Sequence, residues 1–166
     1  FKQMRSLIAL LFFFFFRFNW LSSRSCFMKM RHDRVFQFAK NMAEMSDFER
    51  QKMGCIVVYK NKIIGMGFNS TKTHPLQKEY NRYRFKGDHS PHCMHAETHA
   101  LMPIRHLDID WSKVKVYTYR ICREDSTRGA LARPCCSCQA FMRELGIRHI
   151  YYTTSTTPVH EILDIA

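Results

Sequence analysis

Nothing in the 166 residues is apolar for long enough to cross a bilayer: the longest run, Leu7 to Phe16, falls well short of the roughly 20 residues a helix needs and is broken by Arg17. No membrane partner is therefore expected. Glycine (6) and proline (5) are too few for a fibrous or linker-like chain, and no repeat or low-complexity segment appears beyond the phenylalanines of that one run. Acidic residues are also scarce, 14 against 26 Lys and Arg, giving a formal net charge of +12. Such an excess suits either a phosphate-bearing partner, a free nucleotide or a polynucleotide, or simply a soluble basic surface. The seven cysteines are an odd number, and Cys135, Cys136 and Cys138 are too crowded for a simple framework of long-range disulfides. Clustered thiols near a histidine-rich stretch instead favour metal binding in a reducing compartment, so a cytoplasmic location is expected.

What remains is 46% hydrophobic and 14% aromatic, enough to pack one globular domain. Residues 1–29 stand apart from the rest. They hold five basic residues and no acid, so +7 of the +12 belongs to residues 30–166. A basic start, a short apolar core and the small residues around Ser23 and Ser25 are the parts of a targeting segment. Against that, Met28 and Met30 directly precede a helical pattern, as if translation started there. Residues 1–29 are read as an unstructured, targeting or artefactual extension and residues 30–166 as the functional domain.

Within that domain Val35, Phe36, Ala39, Met42, Ala43 and Met45 recur at helical spacing, which predicts a helix from Asp33, its N-cap, to about Met45. Two β-branched runs, Cys55 to Tyr59 and Ile63 to Phe68, flank Lys60, Asn61 and Lys62 and predict a hairpin. Residues 70–94 show no helical or strand period and are expected to be one long loop. Its Lys78, Tyr80, Arg82, Tyr83, Arg84, Phe85 and Lys86 interleave basic and aromatic side chains, which suits either nucleic-acid contact or a solvated loop. A helix over Ala96 to Ile104, a strand over Val114 to Ile121, a loop over Ser126 to Arg133, a helix over Cys135 to Leu145 capped by Gly146, and a strand over Ile147 to Tyr152 follow. A fifth strand has to be built from Val159 to Ile165 or be missing. The order implies a mixed sheet covered by helices.

Two short patterns carry the chemistry. His95, Ala96 and Glu97 open one helix, and Pro134, Cys135, Cys136, Ser137 and Cys138 open the other. A His-x-Glu triplet is expected about once by chance in such a composition, whereas Pro-Cys-x-x-Cys arises in roughly one chain in a hundred. One histidine and two thiolates fill three positions around a catalytic zinc and leave the fourth for water. Cysteines three apart on a first helical turn face the same way, and the helix N-terminus favours their thiolate form. Glu97 lies on a different side of its helix start and is free to serve the water.

The order H-x-E then P-C-x-x-C, with Gly67, Phe68 and Asn69 ahead of it, resembles the zinc-dependent cytidine and deoxycytidylate deaminase superfamily over about residues 31–154, and is most similar to phage-type deoxycytidylate deaminases. The resemblance implies an α/β protein, a three-layer α/β/α fold with a mixed four- to five-stranded sheet, and frequent homo-oligomers. It implies Zn2+ held by His95, Cys135 and Cys138, Glu97 as the catalytic proton carrier, and Asn69 and Ala96 as substrate-binding positions. It also implies a reaction: a zinc-held hydroxide attacks C4 of a cytosine nucleotide, releasing ammonia and leaving uracil. Departures concern His99, where many relatives have asparagine, and the forty-residue step from His95 to Cys135, lengthened by residues 122–133.

Other residues admit two readings each. His74, His89, His92 and Cys93 are candidates for a second, structural zinc site, although loop histidines are more often solvated. Arg120, Arg123, Arg128 and Arg133 are candidate phosphate ligands or ordinary surface cations. Cys136 and Cys55 are expected to be small buried thiols. The expected function is deamination of deoxycytidylate or a similar pyrimidine nucleotide. The alternatives are a deaminase acting on cytosine or adenine in single-stranded DNA or tRNA, and a non-catalytic zinc-stabilised binding module; the free carboxylate of Glu97 argues against the last.

Overall fold

A computed structural model of the protein describes residues 31–49, 51–84, 92–156 and 160–165. In chain order the elements are α1 (His32–Glu44), β1 (Met53–Tyr59), β2 (Lys62–Phe68), β3 (Ser70–Thr73), α2 (Pro75–Tyr80), β4 (Cys93–Met94), α3 (Ala96–Leu101), β5 (Lys115–Ile121), β6 (Gly129–Ala130), α4 (Cys136–Leu145), β7 (His149–Thr153) and β8 (His160–Asp164). Among the described residues the larger sheet runs β2-β1-β5-β7-β8, with β6 paired to the end of β5, while β3 and β4 form a separate two-stranded ribbon. Only β5 and β7 are parallel; the other pairs are antiparallel, so the sheet is mixed as expected.

Strand β1 shows why the fold has three layers. Gly54 through Val58 are buried on both faces, which requires a cover on each side. Ile56 and Val58 pack with Val35, Phe36, Ala39 and Ala43 of α1 and with Tyr117, Tyr119 and Tyr151. Cys55 and Val57 point the other way, into a second cluster with Ala100, Leu101, Val116, Phe141, Met142, Ile147 and Ile150, under α3 and α4. The helices lie close to the strands because glycine faces them. A Cβ at Gly54 would sit 2.0 Å from the Ala39 carbonyl oxygen of α1, and one at Gly67 would sit 2.4 Å from the Ala100 nitrogen of α3.

The structure corrects several local expectations. Asp33 is not the N-cap of α1: Arg31 holds that position without a side-chain cap, and Asp33 sits in the first turn, where its charge opposes the positive helix end favourably. Lys62 pairs with Tyr59 inside the hairpin, leaving a two-residue turn of Lys60 and Asn61 with φ of 48° and 63°. Residues 70–94 are not one loop, since β3, α2 and β4 lie there. Each of these is six residues or shorter, so no period develops, and the sign left in sequence is His74 as N-cap with Pro75 behind it. The loop after β5 contains the short β6. The fifth strand exists as β8, antiparallel to β7. Gly146 ends α4 in the left-handed region, φ 89°, as expected of a C-terminal glycine cap.

Candidate metal centre and substrate cavity

Two helix starts converge. His95 is the N-cap of α3 and Cys135 the N-cap of α4, both in extended backbone, and Cys138 follows in the first turn of α4. This places His95 Nδ1 3.4 Å from Cys135 Sγ and 3.3 Å from Cys138 Sγ. The ligand atoms of all three lie within 4.8 Å of one another, the only group of three or more such side chains among the described residues. A nitrogen and two sulfurs at that separation match the donor set and count of a three-ligand zinc site, and their placement allows a metal ion to be held. The other ring nitrogen, Nε2, lies 2.7 Å from Arg84 Nη2.

The titratable groups of the trio are coupled to one another and to Glu97. Cys135 is held well below the ordinary thiol value, chiefly by the hydrogen bond from Cys138 and then by His95. Cys138 moves the other way, because it donates to Cys135 and is buried. For His95 burial alone would favour the neutral ring, but the bond to Cys135 and the charge of Glu97 outweigh it and its pKa rises. Glu97 is 2% exposed, and burial pushes its carboxyl above the usual range despite the opposing pull of His95.

These groups meet a cavity of about 920 Å³ lined in part by Asn69, Arg84, His95, Ala96, Glu97, Arg120, Arg133 and Cys135. His95, Cys135 and Glu97 thus share one cavity wall, while Cys138 is buried behind it. Two arginines that the sequence offered as phosphate candidates also line it, and Arg120 Nε is buried there without a hydrogen-bond partner. Arg123 borders a different cavity, beside Lys40 and Lys52. Asn69 lines the substrate cavity but is tied to its neighbours. Its Oδ1 accepts from Ser46 Oγ at 2.7 Å and from the Met53 amide at 2.8 Å, and its Nδ2 donates to the Gln51 carbonyl at 2.6 Å. Asp47, also on the cavity wall, accepts from the Thr71 amide and from the hydroxyls of Thr71 and Ser70. Those bonds, the Thr71 amide first, hold it below the usual carboxylate range.

Among the described residues His74, His92 and Cys93 form no metal-holding group, and His89 lies outside them. His74 Nδ1 accepts from the Leu76 amide as the cap of α2, His92 Nδ1 lies 2.7 Å from Asn81 Nδ2, and Cys93 of β4 lines the large cavity. His99 Nδ1 lies 2.9 Å from the Phe68 carbonyl, so the residue that departs from the family's frequent asparagine pins α3 to the end of β2. Cys55 is buried, but Cys136 is exposed, correcting its assignment as a buried thiol: it points outward between two inward-turned ligands. Sequence reasoning passed over Ser46, Asp47, Gln77 and Asn81. No spacing rule marks a serine or an amide, and the available sign was the His-Pro helix start that brings α2 beneath the site.

Comparison with known proteins agrees with this geometry. The family model described as the cytidine and deoxycytidylate deaminase zinc-binding region matches residues 29–154. No curated protein matches the chain. Among solved structures, dCMP deaminase from the cyanophage S-TIM5 in apo form is 21% identical, with a TM-score of 0.51 over 78% of this chain and 90% of that one. The same cyanophage enzyme in complex with dCMP and dUMP is 20% identical, with a TM-score of 0.51 over 75% and 84%. Cytidine deaminase from Burkholderia pseudomallei is 18% identical, with a TM-score of 0.56 over 82% and 94%. At these identities the structural likeness speaks for the fold, a cytidine deaminase-like α/β/α arrangement. The family match covers well over half of the chain and includes both metal-bearing helix starts, so this protein belongs to the cytidine and deoxycytidylate deaminase family of zinc-dependent hydrolases.

Proposed function

We propose that residues 30–166 form a domain that removes the exocyclic amine from the cytosine of a free pyrimidine nucleotide, turning deoxycytidylate into deoxyuridylate. The observation that carries the nucleotide reading is the make-up of the cavity. The carboxyl of Glu97 and two of the metal-trio residues, His95 and Cys135, share it with Arg120 and Arg133, and Arg120 Nε has no hydrogen-bond partner. A buried guanidinium nitrogen without a partner is costly, and a phosphate oxygen is a suitable acceptor for it.

In this reading His95 Nδ1, Cys135 Sγ and Cys138 Sγ hold zinc. When bound, zinc supplies the Lewis acidity that makes water a nucleophile near neutral pH. Glu97 takes a proton from the water, delivers it to the ring nitrogen beside C4, and then carries a proton to the departing amine. Water and the cytosine ring are consumed, and uracil and ammonia are formed. The burial of Glu97 supports such a shuttle, because a carboxyl raised towards neutrality both accepts and returns a proton readily. Asn69, fixed through Ser46, Gln51 and Met53, keeps one amide hydrogen of Nδ2 for a sugar hydroxyl, while Ala96 forms part of the wall beside Glu97.

The test is a mass-spectrometric deamination assay on zinc-loaded protein with deoxycytidylate, deoxycytidine, a cytosine-containing single-stranded DNA and a tRNA in parallel arms. Deoxycytidylate is expected to be converted, and faster than deoxycytidine. Conversion only within a polymer would overturn the free-nucleotide reading, and zinc binding with no conversion in any arm would favour a binding module.

A further inference from the structure

Beneath the metal trio lies a buried polar chain that the chemistry above does not use. Gln77 of α2 is 0% exposed, an unusual place for an amide side chain with four hydrogen-bonding valences to satisfy. Its Oε1 accepts from the backbone N–H of His95 at 3.1 Å. Its Nε2 donates to Asn81 Oδ1 at 3.0 Å. The same Asn81 oxygen faces Ser137 Oγ at 3.4 Å, and Asn81 Nδ2 lies 2.7 Å from His92 Nδ1. Ser137 is also 0% exposed and stands between Cys136 and Cys138 in the first turn of α4.

We infer that Gln77 and Asn81 are positioning residues for the metal site, a clamp that fixes the His95 segment and the Cys135–Cys138 turn relative to each other. The reasoning is geometric. The three ligands come from two helix starts forty residues apart, which touch through the ligand atoms themselves. The path His95 N–H to Gln77, Gln77 to Asn81, and Ser137 to Asn81 connects both through one short helix. α2 is itself anchored on α4: Tyr80 OH donates to Glu144 Oε2 at 2.8 Å, and its ring lies 4.7 Å from that of Phe141. A clamp so anchored moves with the cysteine turn and transmits its position to the histidine. Bonds of this kind, one step behind the ligands, set ligand orientation, and their loss typically costs about 10–100-fold in metal affinity. The β3-α2-β4 excursion after β2 thereby acquires a role: it carries the amide that the metal site needs.

The inference rests on the zinc reading of the trio, so the test begins with wild type. Zinc-loaded full-length protein is titrated with a chromophoric chelator, and a cobalt-substituted sample reports the thiolate-to-metal absorption band, a signature of ligand geometry that a loss of global stability alone does not move. Gln77→Met, close in size but without the amide, is expected to weaken zinc binding by about 10–100-fold and to shift the cobalt band. Circular dichroism of the loaded variant checks that it folds. If Gln77→Met fails that check, Ser137→Ala is read instead, with an expected loss of about threefold or more for its single weaker bond. Wild-type zinc affinity and an unchanged cobalt spectrum in the folded variant would overturn the clamp. A wild-type protein that binds no zinc would overturn the metal reading and the clamp together.

Discussion

Glu97 is buried at 2% exposure within the first turn of α3, and the opposite charge felt by its carboxyl comes from His95. In the proposed reaction that carboxyl moves protons, a task apart from holding the metal. Replacing it with the isosteric amide separates the task from the fold. Glu97→Gln is expected to retain zinc, measured by elemental analysis, while kcat falls by about 10²–10⁴, the usual worth of a positioned acid–base group. Loss of zinc together with activity would instead make Glu97 part of the metal-holding structure, and full activity would remove it from the chemistry. His95, Cys135, Cys138 and Glu97 were legible in the sequence because helix starts place ligands by short, fixed spacings. Gln77, Asn81 and Ser46 were not legible. They act through bonds between residues 18 to 56 positions apart, as between Gln77 and His95, Asn81 and Ser137 or Ser46 and Asn69, and an amide or hydroxyl carries no signature until the fold supplies its partner.

At the scale of elements, α1, the β1-β2 hairpin, β5, α4 and β7 were readable because each is long enough to show its period or to end in a marked turn. The period failed for β3, α2 and β4, where two to six residues give pattern too little room, and tertiary contacts decide instead. The position of α1 against the sheet depends on a glycine that pattern does not distinguish from any other small strand residue. Gly54, near the start of β1, pairs with both Phe68 and Tyr119, and a Cβ there would also meet the Ala43 nitrogen of α1 at 2.5 Å. The two nearest atoms are backbone atoms of α1, so no flexible side-chain end is there to give way. Gly54→Ala is therefore expected to push α1 off the sheet and to destabilise the fold by about 1–3 kcal/mol or more, read as a lower Tm. Its zinc content should remain, since α1 covers the face opposite to the metal. An unchanged Tm would mean that α1 moves away freely and that the close approach is not a constraint.

For the molecule as a whole, an excess of 26 basic over 14 acidic residues draws any phosphate-bearing ligand towards it, but a diffuse charge does not select one anion over another. In the proposed reading selection comes from a guanidinium on the cavity wall, and Arg120 is the candidate. It projects from β5 into the cavity that holds Glu97, its partially buried side chain leaves Nε without a partner, and its backbone is fixed by pairing with Met53 on one side and Ala130 on the other. Removing it should separate steering from recognition. Arg120→Leu is expected to raise KM for deoxycytidylate about tenfold or more, the worth of one charge-assisted hydrogen bond, while leaving KM for deoxycytidine unchanged because no phosphate is present to lose a contact. The general attraction of a basic surface should persist in the variant and weaken with added salt for deoxycytidylate alone. An equal rise in KM for nucleotide and nucleoside would show that Arg120 shapes the cavity without reading phosphate, and the preference for a nucleotide would then have to be sought in Arg133 on the same wall.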